Sequence, residues 1–288
     1  MTSVDLEIKR TRSHLVYVLS QNPVSLVAIF GFGLILFAAL FGPVVAPYDP
    51  LATNAAEALK APSWDHWFGT DQLGRDVLSR VLTAARLDLM ISFAAVTLSF
   101  FIGAGMGSCA GYFGGWFDAI SGRIIDTIMA FPLFVLAMGI VAALGNTVEN
   151  IIYATAIINV PFYARVARAE AAIRRNSGFV QAAKVAGNTD FRILAIHVFP
   201  NSLPPMAVQA SLNMGWAILN AAGLSFIGLG VRPPTPEWGI MVAEGANFII
   251  SGEWWLAIFP GLALMLTVFT FNLLGDALRD IIDPRQRT

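Results

Sequence analysis

The chain has 288 residues, of which 56% are hydrophobic and only 13% charged, with a formal net charge of −1. Soluble domains run near a quarter charged, so this composition, with a mean hydropathy of +0.66, describes a chain made for lipid rather than water or nucleic acid. A single cysteine, Cys109, excludes an intrachain disulfide or a cysteine-based metal cage, and His14, His66 and His197 have no metal-ligand spacing.

A helix needs about 20 mostly apolar residues to cross ~30 Å of hydrocarbon. Residues 1–23 are polar enough to stay outside the bilayer. Val24 to Ala46 carries no charge, is too long for a signal-peptide core and runs straight into Pro47, so it reads as an uncleaved first span. The stretch Pro47 to Arg86 is polar and rich in Pro, Trp and Asp, completing an outer unit over 24–86. Within it, Gly69 to Gly74 has the GxxxxG spacing of a phosphate loop. The next residues are Arg75 and Asp76 instead of Lys and Ser or Thr, and a carboxylate repels phosphate. A surface turn leading into an amphipathic helix, with Val77, Leu78, Val81 and Leu82 opposite Ser79 and Arg80, is the expectation there.

A core of five spans is expected over 87–276. Leu89 to Tyr112 comes first, and Gly103, Gly105, Gly107, Gly111 and Gly115 give it small-xxx-small patterns, suited either to packing within one bundle or to a second subunit. Ile124 to Leu144 follows, with Pro132 positioned to kink it. Ile151 to Ala164 is short in apolar terms but extends if Arg165 and Arg168 snorkel to the interface. A polar stretch over about 165–201 then leads to Leu203 to Val231 and to Trp254 to Leu274, and Trp116, Trp254 and Trp255 are placed as interfacial aromatics. Residues 277–288 form a polar tail.

Six spans put both termini on one side, and the distribution of Lys and Arg says which. With the N-terminus inside, the cytoplasmic parts hold 13 of the 18 cations and the outer parts hold 5, namely Lys60, Arg75, Arg80, Arg86 and Arg232. The expected topology is N-in, C-in, an all-α integral membrane fold whose largest cytoplasmic loop is 165–201.

The middles of five of the spans contain no ionisable residue, while Asp126 and Glu149 fall at span ends and read as interfacial. A self-sufficient secondary transporter keeps ionisable groups within its spans for the coupling ion, and a membrane-embedded enzyme clusters polar catalytic groups there. Neither signature is present. The chain reads as a pathway without an engine, and the cytoplasmic loop is where an engine would attach. Phe179 to Ala186 reads as a short helix with Ala182 and Ala183 on a close-packing surface. Gly187-Asn188 is its stop, Asp190 starts a second helical piece, and Pro200 resets the chain before the next span. Helix, bend and helix make a rigid knob.

Gln181-Ala182-Ala183, then Gly187, then hydrophobics and Phe199-Pro200, resembles the EAA loop of ABC importer permeases. Gln181 stands where the motif has Glu, His197 at a hydrophobic position, and Phe199 where Leu is usual; a second Glu170-Ala171-Ala172 lacks the Gly at the required offset. Three further stretches, in the family's order, are similar to permeases of the dipeptide/oligopeptide/nickel transport family: Trp67 to Arg80 with its GTDxLGRD segment, Leu224 to Gly239, and Leu274 to Arg285. The resemblance implies a type I ABC importer permease fold in a bacterial inner membrane. It implies a docking loop formed by Phe179, Gln181, Ala182, Ala183, Lys184, Gly187, Asn188 and Arg192. It further implies a second homologous permease subunit, two cytosolic ABC ATPase subunits and an extracytoplasmic solute-binding protein. ATP and Mg belong on the ATPases. No catalytic, cofactor or metal site is expected in this chain, which would pass peptides or related small solutes.

Overall fold

A computed structural model describes residues 23–282, and every regular element among them is helical. All but the final residue of the expected N-terminal segment 1–23, and the last residues of the tail, 283–288, lie outside the described residues. In chain order the helices are α1 Pro23–Val45, α2 Val77–Phe113, α3 Gly115–Met129, α4 Leu133–Leu144, α5 Val148–Arg174, α6 Gly178–Val185, α7 Asp190–Ile193, α8 Phe199–Phe226, α9 Trp238–Ala246 and α10 Trp255–Ile282.

Three helices, α1, α2 and α10, are long and apolar enough to cross a membrane unaided. A further pair, α3 and α4, passes together but is bent by 88°. The kink expected at Pro132 is therefore a sharp corner. Pro132 is the residue just before α4, where it has no N–H to continue α3, and its ring pushes Phe131 away from helical geometry. Helix α3 also begins earlier than the apolar pattern suggested. It follows directly on the turn at Gly114, and its first turn carries Asp118.

The 37 residues of α2 extend about 55 Å, well past the hydrocarbon thickness, so one helix includes both the stretch after Asp76 and the second span. It is the spine of the bundle. Gly103, Gly107 and Gly111 lie a turn apart along it, and a Cβ on any of them would overlap the backbone of α5 at Val160, Ala164 or Arg168. The small residues thus serve packing inside this chain, letting two helix backbones touch and gain dispersion contacts. Gly105 and Gly115 point into open space and take no part. At the same end Arg168 pairs with Asp118 and Arg165 with Asp126 at 3.3 Å, so the cations extending α5 are held by α3. Helices α8 and α10 complete the bundle, α9 packs between them, and α1 lies on the outside against α2 and α10.

Gly69 to Asp76 does turn the chain into α2, but the turn is buried rather than on the surface. Thr70, Asp71, Arg75, Asp76, Ser79 and Arg80 are all buried. Asp71 accepts from the backbone N–H groups of Leu73 and Arg75 and from Arg75 Nε at 2.6 Å. Asp76 caps α2 through Ser79 N at 2.8 Å and accepts from His66 Nδ1 at 2.8 Å. Arg80 reaches across to the carbonyls of Pro50 and Pro234. Polar residues face inward here because the segment folds over α9 and α10 and supplies their partners, which makes burial tolerable. Trp255 is part of this seam. It is 6% exposed and donates its indole N–H to Thr70 O, so it is a core residue, whereas Trp254 and Trp116 remain exposed.

The span expected to reach Val231 stops at Phe226. Gly228 N–H bonds to Ser225 O and Leu229 N–H to Leu224 O, the paired bonds of a Schellman stop. The chain then returns to Glu237, which caps α9 by accepting from Gly239 N at 2.9 Å and Ile240 N at 2.8 Å. Asp88, on α2, accepts from Trp238 N at 3.1 Å and so fastens the start of α9 to the spine of the bundle.

Candidate functional site: the knob between α5 and α8

Helix α5 ends at Arg174, and a short connection through Ser177 starts α6, whose eight residues present two faces. The inner face, Val180 and Ala183, joins a cluster with Tyr112, Ala171, Ile193, Leu194 and Val198, all buried. Full burial of Val180, Ile193, Leu194 and Val198 contributes about 1.5–3 kcal/mol each, enough to weld the short helix to the end of α2. Ala183 is 8% exposed, so it faces this chain's own core. The outer face and tip carry Phe179, Gln181, Ala182, Lys184, Val185, Ala186 and Gly187, all exposed.

The bend after α6 is a complete Schellman motif. Gly187 N–H bonds to Lys184 O at 3.0 Å and Asn188 N–H to Ala183 O at 3.1 Å, with the Asn188 side-chain amide reaching the same carbonyl. Gly187 has φ of +81°, a conformation glycine adopts freely; Asn188 does not share it. Thr189 then caps α7 through Arg192 N–H, and Asp190 occupies its first turn, favourable against the helix dipole.

Pro200 does not reset the chain as expected. Helix α7 runs through one π-helical stretch, Leu194–Val198, straight into α8, and Phe199 N–H bonds to Leu194 O five residues back. In α-helical register the Pro200 ring would strike the Ile196 carbonyl. The wider π turn moves that carbonyl aside and keeps the rod continuous. The knob therefore hangs between two long helices, α5 and α8, with no slack at the second junction.

A polar clasp adds to the apolar weld. Tyr112 OH donates to Asp190 Oδ1 at 2.7 Å, Lys184 Nζ lies 3.5 Å from the same oxygen, and the ammonium sits 5.8 Å from the centre of the Tyr112 ring. The Tyr112 hydroxyl, helped by Lys184, holds the Asp190 carboxyl below the usual carboxylate range. Glu170 pairs with Arg174 within α5, and Ala171 is buried in the cluster, so the Glu170-Ala171-Ala172 triplet is part of the scaffold.

Of the residues singled out from sequence, Phe179, Gln181, Ala182, Lys184, Gly187 and Arg192 lie on the outside of the knob, and Ala183 and Asn188 hold it together. Sequence reasoning missed its apolar tip. Val185 is 91% exposed and Phe191 72%, two large hydrophobics on either side of the bend. A large apolar residue two positions before a helix-stopping glycine was the available signal. It also missed Tyr112, which the span pattern absorbed. The knob is thus a rigidly attached projection with an exposed apolar tip, Val185 and Phe191, flanked by the cations Lys184 and Arg192.

Residues 103–288 match the family described as binding-protein-dependent transport system inner membrane component, and residues 15–62 match the N-terminal TM domain of oligopeptide transport permease C. The chain is 42% identical to the dipeptide transport system permease protein DppC of Alkalihalophilus pseudofirmus, over 94% of this chain and 88% of that protein. It is likewise 42% identical to the probable D,D-dipeptide transport system permease protein DdpC of Escherichia coli K12, over 96% and 94%. The same identity, over 88% and 83%, relates it to the glutathione transport system permease protein GsiD of Escherichia coli O1:K1. With the packed helical bundle and the rigid loop in place, these matches identify the chain as a member of the binding-protein-dependent transport system inner membrane components, a multi-pass permease subunit of an ABC transport system.

Proposed function

We propose that this chain is one half of the membrane pathway of an ATP-driven importer for peptides or related small solutes, working in a bacterial inner membrane. It spans the bilayer six times with both termini in the cytoplasm, a reading supported by the 13-to-5 distribution of cations. Its partners are a second, homologous permease, two cytosolic ATPases that carry ATP and Mg, and a solute-binding protein on the other side. The substrate class follows the relatives named for dipeptides and glutathione.

The observation that carries the reading is the knob: a bend with an apolar tip, Val185 and Phe191, locked to α2, α5 and α8. When ATP closes the ATPase dimer, a cleft holding this tip moves. The buried cluster and the continuous α7–α8 rod pass the displacement to the spans, and α5 moves with it. The bundle then alternates between openings to the two sides. The α3–α4 corner and the close α2–α5 contact divide it into parts that move as units.

The test is a cysteine at Val185 in a Cys109→Ser background, with the ATPase and both permeases co-expressed. A short bifunctional crosslinker should join it to the ATPase, and Val185→Asp should abolish solute-stimulated ATP hydrolysis while the two permeases still purify together. Crosslinks to the partner permease alone, or wild-type stimulation in Val185→Asp, would refute docking at this tip.

A further inference from the structure

A groove of about 830 Å³ runs between α1, α2, α8 and α10, lined by apolar side chains such as Leu40, Phe93, Phe100, Met214 and Phe271, with Arg86 at one end and Leu278 at the other. A second, also largely apolar recess of about 300 Å³ adjoins it, where Leu87, Met90 and two prolines surround Thr83, Arg86 and Thr235. Arg86 and Met90 border both spaces. Arg86 is exposed and makes no ion pair among the described residues, and Thr83 Oγ1 is a buried hydroxyl without a hydrogen-bond partner.

We propose that this pair of spaces is a phospholipid site, with the phosphodiester on Arg86 and Thr83 and an acyl chain lying in the groove. Thr83, Arg86, Met90, Phe93 and Thr97 follow one another at three- and four-residue steps, so they share one face of α2. From Arg86 to Phe101 that face extends about 22 Å, which covers the ~15 Å depth of one leaflet's hydrocarbon. Arg86 stands at the end toward residues 47–76, where a headgroup of the leaflet on that side lies. A guanidinium offers forked donors to phosphate oxygens, and the unpartnered hydroxyl one turn away supplies another.

The mouth of the groove favours a lipid over a neighbouring helix. Helices that meet in a membrane place small residues at the contact so that backbones approach. Here the small residues of α2 are used against α5, while the mouth of the groove displays Leu40, Met90, Phe93 and Phe101, all exposed. Bulky, adaptable side chains around a slot suit a flexible hydrocarbon chain. The Arg86 guanidinium at one end and the apolar groove beyond it match the two halves of an amphiphile.

The assembled transporter, reconstituted in phosphatidylcholine vesicles doped with phosphatidylglycerol bearing a diazirine on one acyl chain, provides the test. Illumination should label peptides containing Phe93 and Phe101. Arg86→Gln should lower that labelling about fivefold, and Ala210→Phe, which fills the groove, should abolish it while the complex still elutes intact. Because Arg86 is exposed, its variant reports on the site even if the filled-groove variant fails to assemble. Labelling that is absent in the wild type, or unchanged in Arg86→Gln, would overturn the proposal. So would an efficient disulfide between a cysteine at Phe93 and the partner permease, which would put a helix in the groove. Labelling is read without transport, so its failure is separate from a failure of knob docking.

Discussion

Replacing Gly187 with Val tests whether the knob transmits force or merely connects helices. An ideal Cβ at this position meets no heavy atom within 4 Å, so no steric clash enters the cost. What remains is the backbone: φ of +81° costs a β-branched residue about 1–3 kcal/mol. Relief requires rotating φ to a negative value, which breaks the bonds from Gly187 N–H to Lys184 O and from Asn188 N–H to Ala183 O. Burial of Val180 alone, at about 2 kcal/mol, keeps the first part of α6 on its cluster, so the damage is confined to the tip around Val185. The buried bundle contacts are untouched, and the variant should insert and purify with its partner permease at normal yield. Solute-stimulated ATP hydrolysis and uptake, measured in proteoliposomes containing the whole transporter, should fall at least tenfold, on the scale of ~1.4 kcal/mol per decade. Gly187→Asn is the control, because asparagine tolerates the left-handed region; it should retain most activity. Wild-type coupling in Gly187→Val, with the ATPase bound, would refute the reasoning. Equal losses in the Val and Asn variants would show that side-chain bulk, rather than backbone geometry, matters at the tip.

Three other outcomes are expected. Cysteines at Ser63 and Asn176, both exposed, in a Cys109→Ser background should report topology: a membrane-impermeant maleimide applied to spheroplasts should label the first and spare the second, and the reverse pattern would invert the assignment. Gly107→Val would drive a side chain into the Ala164 carbonyl and force α2 and α5 apart, costing about 3 kcal/mol; the yield of folded complex should collapse, and an unchanged yield and melting temperature would show that the two helices meet elsewhere. Glu237→Ala removes the acceptor for two α9 amides at a site 1% exposed, costing about 3 kcal/mol; a lowered melting temperature with intact ATPase binding is expected, and loss of ATPase binding without destabilisation would contradict a purely structural role.

The sequence by itself determined the class, the first and last spans and the knob. Spans are set by apolar runs long enough for the bilayer, a one-dimensional property that Val24 to Val45 and Trp255 to Asp280 carry within themselves. The knob was legible because its stop is local: Gly187 is the residue type its backbone angle demands. Features that depend on what lies opposite were decided only by the tertiary structure. Arg75, Asp76, Ser79 and Arg80 look like a solvated face, and they are buried because distant residues such as Glu244 and the Pro234 carbonyl complete their bonding. The glycines of α2 allowed two readings until α5 occupied their side of the helix, and Pro132 forecast a kink whose 88° angle depends on how α3 and α4 pack. Ala183 and Ala182 are adjacent and chemically identical, yet one is buried and the other exposed. Which alanine faces the core is fixed by the rotation of α6 about its axis, and that rotation is set by Tyr112, Ile193 and Val198 arriving from other helices.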